Sequence, residues 1–596
     1  MNKKVMIKYT DREFNTIKNS LIEYAKRYYA NTYRDFGDAA FGSMMLDAVA
    51  YIGDNLSFAT DYAANESFLD SAVEYNNIIR HGKALGYKFA ASPSSYGTLV
   101  LYLVVPAKTY GLGPDPNYLP VLLKGSTFSS TSGNSFILNQ NVDFAREDNE
   151  IVVAKVDTTT GIPTFYAVKA LGDVISGELF RQSIDVGDYT PFLRFELAGS
   201  EITEVVSVID SEGHEYFEVD YLSQDVVYKA FPNYGDNRGT VTNILKPIVV
   251  PRRFVVERES NKTSIQFGYG SQGEIKLNSI ADPAAVILQV HAKDYYTDDS
   301  FDPSNLVSTD KFGVAPSNTT LTIVTRNNTA GNVNSAVGTV TTVNDSMFEF
   351  GNITSLNMAT VADIRGSLEV TNEEAITGDV SLPNSEEIRR RIYDSFASQN
   401  RAVTKQDYIA CLYRMPSKFG AIKRAQVVQD DDSFKRNLNI YVLTENQDGT
   451  LAVANNTIKN NLKTWLNQYK MINDTLDLLD AIVYDIGIEF EIIVNEEKNK
   501  YSALSEGIAL LKELYTNPLD IGENFSITDV YSTLKLVSTI VDVTSVKVVS
   551  KYGGSYNDAS FDVDSRMSAD GRFVFCERNG IYQIHYPSSD LKGAVK

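Results

Sequence analysis

Cysteine and histidine are scarce in this chain: its 596 residues hold two cysteines, Cys411 and Cys576, and four histidines, His81, His214, His291 and His585. So few, so widely separated, they argue against a disulfide framework and against a Cys/His metal site. None of the histidines sits in an H-E-x-x-H or related ligand pattern. Positive charge is also short. Lys+Arg 55 against Asp+Glu 76 gives a formal net charge of −21, which argues against nucleic acid as a main partner, because phosphate binding needs concentrated positive charge. Long apolar runs are missing too. The longest, Leu99 to Val105, falls far short of the ~20 residues a spanning helix needs. Met1 to Phe14 has basic residues but no apolar h-region, so no secretory signal is expected. Together these absences predict a reduced, soluble, intracellular product without membrane insertion or cofactor.

What is present is globular. Apolar content of 43% supports sizeable cores, and the length allows roughly three to five domains. The predicted class is α+β multidomain. Residues 1–92 form a helical segment, 93–380 a β-rich middle domain with a candidate insertion at about 150–245, and 381–596 a C-terminal α+β region.

In the first segment, Ile17, Leu21 and Tyr24 keep helical spacing, and Arg34-Asp35-Phe36-Gly37 breaks it. Met45, Val49, Ile52, Leu56 and Ala59 then share one helix face, with Asp47, Asp54, Asn55 and Asp61 around it. A further helix is predicted from Glu66 to Leu85, with Phe68, Ala72, Tyr75 and Ile79 on one face. Gly86 suits a left-handed C′ position with Tyr87 packing back. Spacing alone favours a self-contained helical domain over a set of partner-binding helices.

From Tyr96 to Val380 short strand-like runs alternate with Gly, Pro, Asn and Asp. Strands are predicted at 99–105, 151–156, 192–197, 205–208, 217–219, 254–257, 265–267, 285–291 and 321–324, and Gly125 marks a turn between two more. Ser317 to Asp345 reads as surface loop and edge strand. At Leu382 the text changes. Pro383 and Asn384 stop the preceding run, and Ser385 is the expected N-cap of a helix from Glu386 to about Ala397. After a break at Ser398-Gln399-Asn400, Thr404 with Asp407 three residues on forms a capping box for a helix from Lys405 to Arg414. Strands at 422–429 and 438–443 follow, joined by an acidic turn. Beyond them come helices at 457–470, 505–515 and 529–538, strands at 482–494 and 543–550, and a terminal hairpin from 573 to 586.

Few motifs carry chemistry. Gly268-Tyr269-Gly270-Ser271-Gln272-Gly273 is a literal G-x-G-x-x-G after a strand. A dinucleotide fingerprint also needs a helix next, and Glu274-Ile275-Lys276-Leu277-Asn278 reads as a strand, so a glycine hairpin turn needing positive φ is expected. Asp430-Asp431-Asp432 and Asp298, Asp299 and Asp302 lack calcium-loop spacing and read as solvated loops. Cys411 is expected as a buried thiol. Arg389, Arg390 and Arg391 read as a solvated helix face, with contact to a neighbouring subunit's carboxylates as the second reading. No G-x-S-x-G elbow is present, and no catalytic set emerges.

Three collinear stretches resemble one family. Asp47-Ala48-Val49-Ala50-Tyr51, Glu66-Ser67-Phe68, Ala72 and Gly86-Tyr87 come first. The Gly125 turn and Phe267-Gly268-Tyr269-Gly270 follow. Last come Arg401-Ala402-Val403-Thr404, Asp407-Tyr408 and Phe419-Gly420-Ala421-Ile422. This pattern resembles the baseplate J-like family, and within it the large baseplate wedge proteins of T-even-type contractile-tailed phages. The resemblance implies a non-enzymatic virion protein of the tail baseplate, assembled in the host cytoplasm. It implies N-terminal helices, including Met45, Ile52 and Leu56, that join other wedge proteins in a helical bundle. It also implies C-terminal dimer contacts with copies of itself that link wedges into a ring, and support of a sheath-initiating component. The competing expectation, from the β-rich middle and the 35 tyrosines, is a tail-associated receptor-binding or carbohydrate-active protein. That reading needs paired carboxylates in an aromatic cleft, or a fibrous repeat, and the sequence offers neither.

Overall fold

The computed structural model describes residues 13–29, 31–32, 37, 40–89, 94–108, 113–199, 202–232, 243–259, 262–271, 312–328, 333–430, 437–446, 448–495, 499–515 and 519–596. The chain is an α+β multidomain protein, with N-terminal helices, a β-rich middle and mixed helix and strand units toward the C-terminus. It divides into two compact units. One comprises residues 1–89 with 383–396, and the other 90–382 with 397–596.

The smaller unit begins with α1 (Phe14–Tyr28), α2 (Phe41–Glu66) and α3 (Tyr75–Ala84). The sequence predicted one helix from Glu66 to Leu85. Instead α2 ends at Glu66, and a turn precedes α3. The cause is Glu66 itself. Its carboxylate accepts hydrogen bonds from the Val73 and Glu74 backbone N–H groups at 2.8 and 3.3 Å and from Asn77 Nδ2 at 2.8 Å. These bonds satisfy donors at the start of a new helix, which removes the need to continue the old one. Burial pushes the Glu66 carboxyl up, but those bonds outweigh it and hold it below the usual range. Gly86 is left-handed at φ +85°, and Tyr87 N–H bonds back to Gly82 O at 2.8 Å.

The helix Ser385–Ser398 completes the core of this unit. Ile388 and Ile392 pack with Ala72, Ile78, Ile79 and Tyr87. Asn384, not Ser385, caps it, since its Oδ1 accepts from Glu387 N at 2.8 Å. Arg389 does not lie on a solvated face. Its guanidinium donates to Leu69 O at 2.8 Å and Ala72 O at 2.6 Å, clamping the turn between α2 and α3. Arg391 pairs with Glu387 at 2.6 Å.

In the larger unit, strand Tyr96–Pro106 lies between Pro163–Ser176 and Glu369–Thr371, all antiparallel. Strands Ser135–Leu138, Thr127–Ser130 and Val340–Asp345 extend that sheet in order. A second sheet is interposed in the chain, between Glu178 and Asn327, whereas the sequence placed an insertion at about 150–245. In it Thr319–Asn327 pairs with both Glu178–Val186 and Ile202–Ile209. The sequence predicts a strand at 321–324 here, within a stretch read as surface loop and edge strand. Its paired position and its buried Leu321 and Ile323 make it interior. The buried Arg326 guanidinium ties the two sheets together, donating to Ser176 O at 2.6 Å and pairing with Glu204 at 3.1 Å.

The C-terminal layers do not stand apart from the first sheet. Tyr96, Ile137 and Ile175 share one core with Ala402, Tyr408, Leu412, Ile440 and Leu462. Farther on, Ile482–Val494 is a central strand. It pairs with Ile540–Lys551 on one side and, in succession, with Gly580–Gln583 and Leu591–Val595 on the other. The expected terminal hairpin is absent. Phe573–Val574 pairs with Phe525–Ser526 instead, and Gly580–Gln583 runs parallel to the central strand. Gly580 sits where a Cβ would meet the Tyr484 ring at 2.8 Å, so close docking on the central strand replaces the local turn.

Candidate functional site

Chemistry is sparse among the described residues. No group of three or more His, Cys, Asp or Glu is placed to hold a metal. Cys411 is buried, and desolvation pushes its thiol up to about 11, the opposite of an activated nucleophile. Asp485 and His585 lie 3.4 Å apart. Burial pushes the Asp485 carboxyl up, partly offset by bonds from Asn557 N and Nδ2 at 2.7 and 2.9 Å. The ring of His585 is flanked by Tyr556 and Tyr586, so the pair ties loops to a central strand. A cavity of about 210 Å³ beside His214, Phe217 and Arg252 is smaller than the roughly 300–1,000 Å³ of ordinary ligand pockets.

The glycine motif has a structural role of a different kind from the one expected. Gly268 is not left-handed. A Cβ there would fall 2.1 Å from Gly313 O and 2.2 Å from Phe312 O, so backbone crosses backbone at this point. Gly270 N–H donates to Gly313 O, and Gly270 O accepts from Ala315 N, both at 2.9 Å. Gly273, Glu274–Asn278, Asp298, Asp299, Asp302, the 285–291 strand with His291, Asp431, Asp432 and Arg34-Asp35-Phe36 lie outside the described residues. Gly125 does need its glycine, with φ +98°.

The Arg401–Tyr408 stretch is a reciprocal cap. Asp407 N–H donates to Thr404 Oγ1 at 3.2 Å, and the Asp407 carboxylate accepts from Thr404 N at 2.8 Å and Val403 N at 3.1 Å. Tyr408 is buried and donates its hydroxyl to Asp474 at 2.7 Å. Arg401 is exposed.

The remaining site residues lie on α2 and just after it. At 1.5 Å per residue its 26 residues span about 39 Å. Only Ser43, Ala50 and Glu66 of this helix are buried. α1 rests on its small and polar side: Ile17 meets Gly53, where a Cβ would touch at 3.4 Å, and Lys18 pairs with Asp47 at 2.8 Å. Met45, Val49, Ile52 and Leu56, separated by four, three and four residues, are left exposed, Ile52 at 64% and Leu56 at 66%. Phe41, Met44, Tyr51, Phe58 and Tyr62 are also exposed. By helix geometry they widen the stripe to nearly half the circumference. Phe68, in the following turn, is exposed as well, whereas Glu66 and Ala72 are buried inside the unit. Sequence periodicity found one edge of this stripe and the family resemblance added Tyr51, but Phe41, Met44, Phe58 and Tyr62 were missed, although they repeat at helical spacing.

Among solved structures, the chain is similar to a chain of the anti-feeding prophage (AFP) baseplate, at 9% identity over 95% of this chain and 90% of that one, with a TM-score of 0.24. It is also similar to a chain of the type VI secretion system TssK-TssF-TssG baseplate subcomplex, at 8% identity over 72% and 96%, with a TM-score of 0.21. No curated protein matches the chain. Residues 13–84, which hold α1, α2 and α3, match the family model described as bacteriophage baseplate protein, N-terminal domain.

Proposed function

We propose that this chain is a non-enzymatic structural subunit of a phage contractile-tail baseplate, and specifically of its wedge. The observation that carries the reading is the broad apolar stripe of α2, left bare by the chain's own α1 and lying within the segment similar to a baseplate N-terminal domain. Contiguous exposed apolar surface on this scale marks an interaction site. A helix bare along nearly half its circumference is suited to a bundle with helices from other wedge proteins. In the same reading, residues 381–596 make dimer contacts between copies, the copies link wedges into a ring around the hub, and the ring supports the sheath-initiating component. The site is the virion tail baseplate, reached by assembly in the host cytoplasm.

The test is Ile52→Asp in the full chain, mixed with the other wedge proteins of the same tail. Ile52 is exposed, so the variant folds as the parent does by circular dichroism. The expected result is loss of the wedge complex in sedimentation. Unimpaired assembly by the folded variant overturns the reading.

A further inference from the structure

The strand Glu150–Val156 is apolar in sequence, EIVVAKV, yet exposed at every residue. Among the described residues only Pro163–Ser176 pairs with it, antiparallel and along one edge. The other edge presents backbone N–H and C=O groups that no strand takes up, beside Ile151, Val152 and Val153, with Val152 at 55% exposure. A bulge interrupts the pairing: Val153 lies opposite Tyr166 and Lys155 opposite Phe165, so Ala154 is an extra residue. Ile151 and Val153 lie opposite Val168 and Tyr166, on the core side. Glu150, Val152 and Lys155 lie opposite Lys169, Ala167 and Phe165, on the outer side. In a regular strand Glu150 and Lys155, five positions apart, would point to opposite faces. The bulge puts them on one face, with Val152 midway. Lys169 is held by Glu373 at 2.8 Å, with Glu150 a weaker neighbour. Lys155 has no carboxylate partner among the described residues.

We propose that this edge takes the same strand of a second copy, antiparallel about a two-fold axis at Val152. In that register Glu150 faces Lys155 of the partner subunit and, by symmetry, Lys155 faces Glu150 of the partner subunit. Val152 meets Val152 of the partner subunit, and Ile151 meets Val153 of the partner subunit. One register thus joins both opposite-charge pairs to the apolar ones, and a shift along the strand in either direction loses both charge pairs. A lysine and a bulge ordinarily guard an edge against arbitrary pairing; here the same two features leave one register open. A single strand a side stays below the roughly 1,200 Å² of a standard interface, so the contact is weak between dilute copies and serves copies already held close. It uses neither α2 nor residues 381–596, and so stands apart from the contacts proposed above.

Val152→Cys in the full chain tests the axis. Opposed Cα atoms of an antiparallel pair lie about 4.5–5.5 Å apart, within disulfide reach. Mild oxidation should therefore join two copies through position 152. The parent, with its own Cys411 and Cys576, should not cross-link, nor should Val156→Cys. Adding Lys155→Glu to Val152→Cys sets like charges opposite each other at both ends and should cut the yield roughly tenfold. Adding Glu150→Lys as well restores opposite charges and should restore the yield. All of these positions are exposed, so the variants keep the parent's circular dichroism. In the parent, hydrogen exchange of residues 150–156 should slow as protein concentration rises. Cross-linking at 152 no greater than at 156 overturns the proposal, as does a charge-swapped protein that stays as weak as Lys155→Glu. Protection of 150–156 that needs another wedge protein, and not concentration, makes the occupant a foreign strand and overturns it too. The Ile52→Asp assembly test is untouched by any of these outcomes.

Discussion

Gly82 on α3 offers a direct measurement of how the helix Ser385–Ser398 is held to the N-terminal helices. A Cβ at this position would sit 2.7 Å from Ile392 Cδ1 and 3.0 Å from Cγ1. Ordinary contact is nearer 4 Å, so something must move by about an ångström. Ile392 is fully buried among Ala72, Ile78, Ile79 and Tyr87, and overpacking such a site costs roughly 1–3 kcal/mol. Against this, replacing a helical glycine by alanine gains up to about 1 kcal/mol. Gly82→Ala is therefore expected to destabilise the smaller unit by about 0–2 kcal/mol. Ile392→Val alone should cost about 0.5–1.5 kcal/mol. The double variant removes Cδ1, the atom that clashes, so it should be more stable than the sum of the two by about 1 kcal/mol. Hydrogen exchange of peptides from 75–89 and 385–396 in the full chain reads this, since 1.4 kcal/mol is tenfold in protection. Strict additivity of the two substitutions would refute the contact.

Thr404→Ala and Asp407→Asn should each cost about 0.5–2 kcal/mol through the lost cap, measured by thermal unfolding. Burial raises the Asp407 carboxyl, but bonds from Thr404 and Val403 N–H groups outweigh it and leave it lowered. A lowered acid stabilises the fold above the unfolded carboxylate value of about 3.9 and loses that contribution as pH falls through its folded value. The parent should therefore lose stability in acid more steeply than Asp407→Asn. Gly268→Ala should cost about 3 kcal/mol or more, because the obstacles are the Phe312 and Gly313 carbonyls and backbone cannot yield as a side chain does; soluble yield and melting temperature check it. Tyr96→Phe should cost about 1–3 kcal/mol, because Lys418 O loses the phenolic donor that joins the first sheet to the C-terminal layers, and chemical denaturation measures it.

Local grammar was readable wherever a few adjacent residues decide the outcome. The Thr404–Asp407 box, the left-handed Gly86 and the strand Ile482–Val494 all depend on neighbours in sequence, and the structure has each of them. What stayed hidden depends on residues far away in the chain. Local signals placed a helix from Glu386 to about Ala397; they could not say that its Ile388 and Ile392 pack on a turn some 300 residues earlier, or that Arg389 is needed to satisfy that turn's carbonyls. The longest strand of the first sheet, Pro163–Ser176, was missed because Lys169, Gly172 and Asp173 interrupt its apolar pattern. Gly172 reads as a breaker, yet it is there because Leu138, Val142 and Leu101 leave no room for a Cβ. Glu66 was read as part of a partner-binding face, when its carboxylate is the device that ends one helix and starts the next.

In the proposed bundle the stripe on α2 is an interface and not an unfinished core, and the packing of α1 supports that reading. Had stability of the isolated chain governed the sequence, α1 would cover the side bearing Ile52, Leu56 and Phe58. It covers Ser43, Asp47, Ala50 and Gly53 instead, where small residues let a helix approach and only modest apolar area is gained. The larger gain is held back. Fully burying Met45, Val49, Ile52 and Leu56 is worth roughly 1.5–3 kcal/mol each at most, and even half of that rivals the 5–15 kcal/mol stability of a typical domain. On the proposed reading, the energy that orders α2 comes mainly from association. It follows that hydrogen exchange across residues 41–66 should be fast in the free protein, while the core around Ile78, Ile79, Ile388 and Ile392 is already protected, and that adding the partner should slow the first without changing the second. Slow exchange along α2 in a monomer would mean that the helix is stable on α1 alone, and the argument from its bare face would fail.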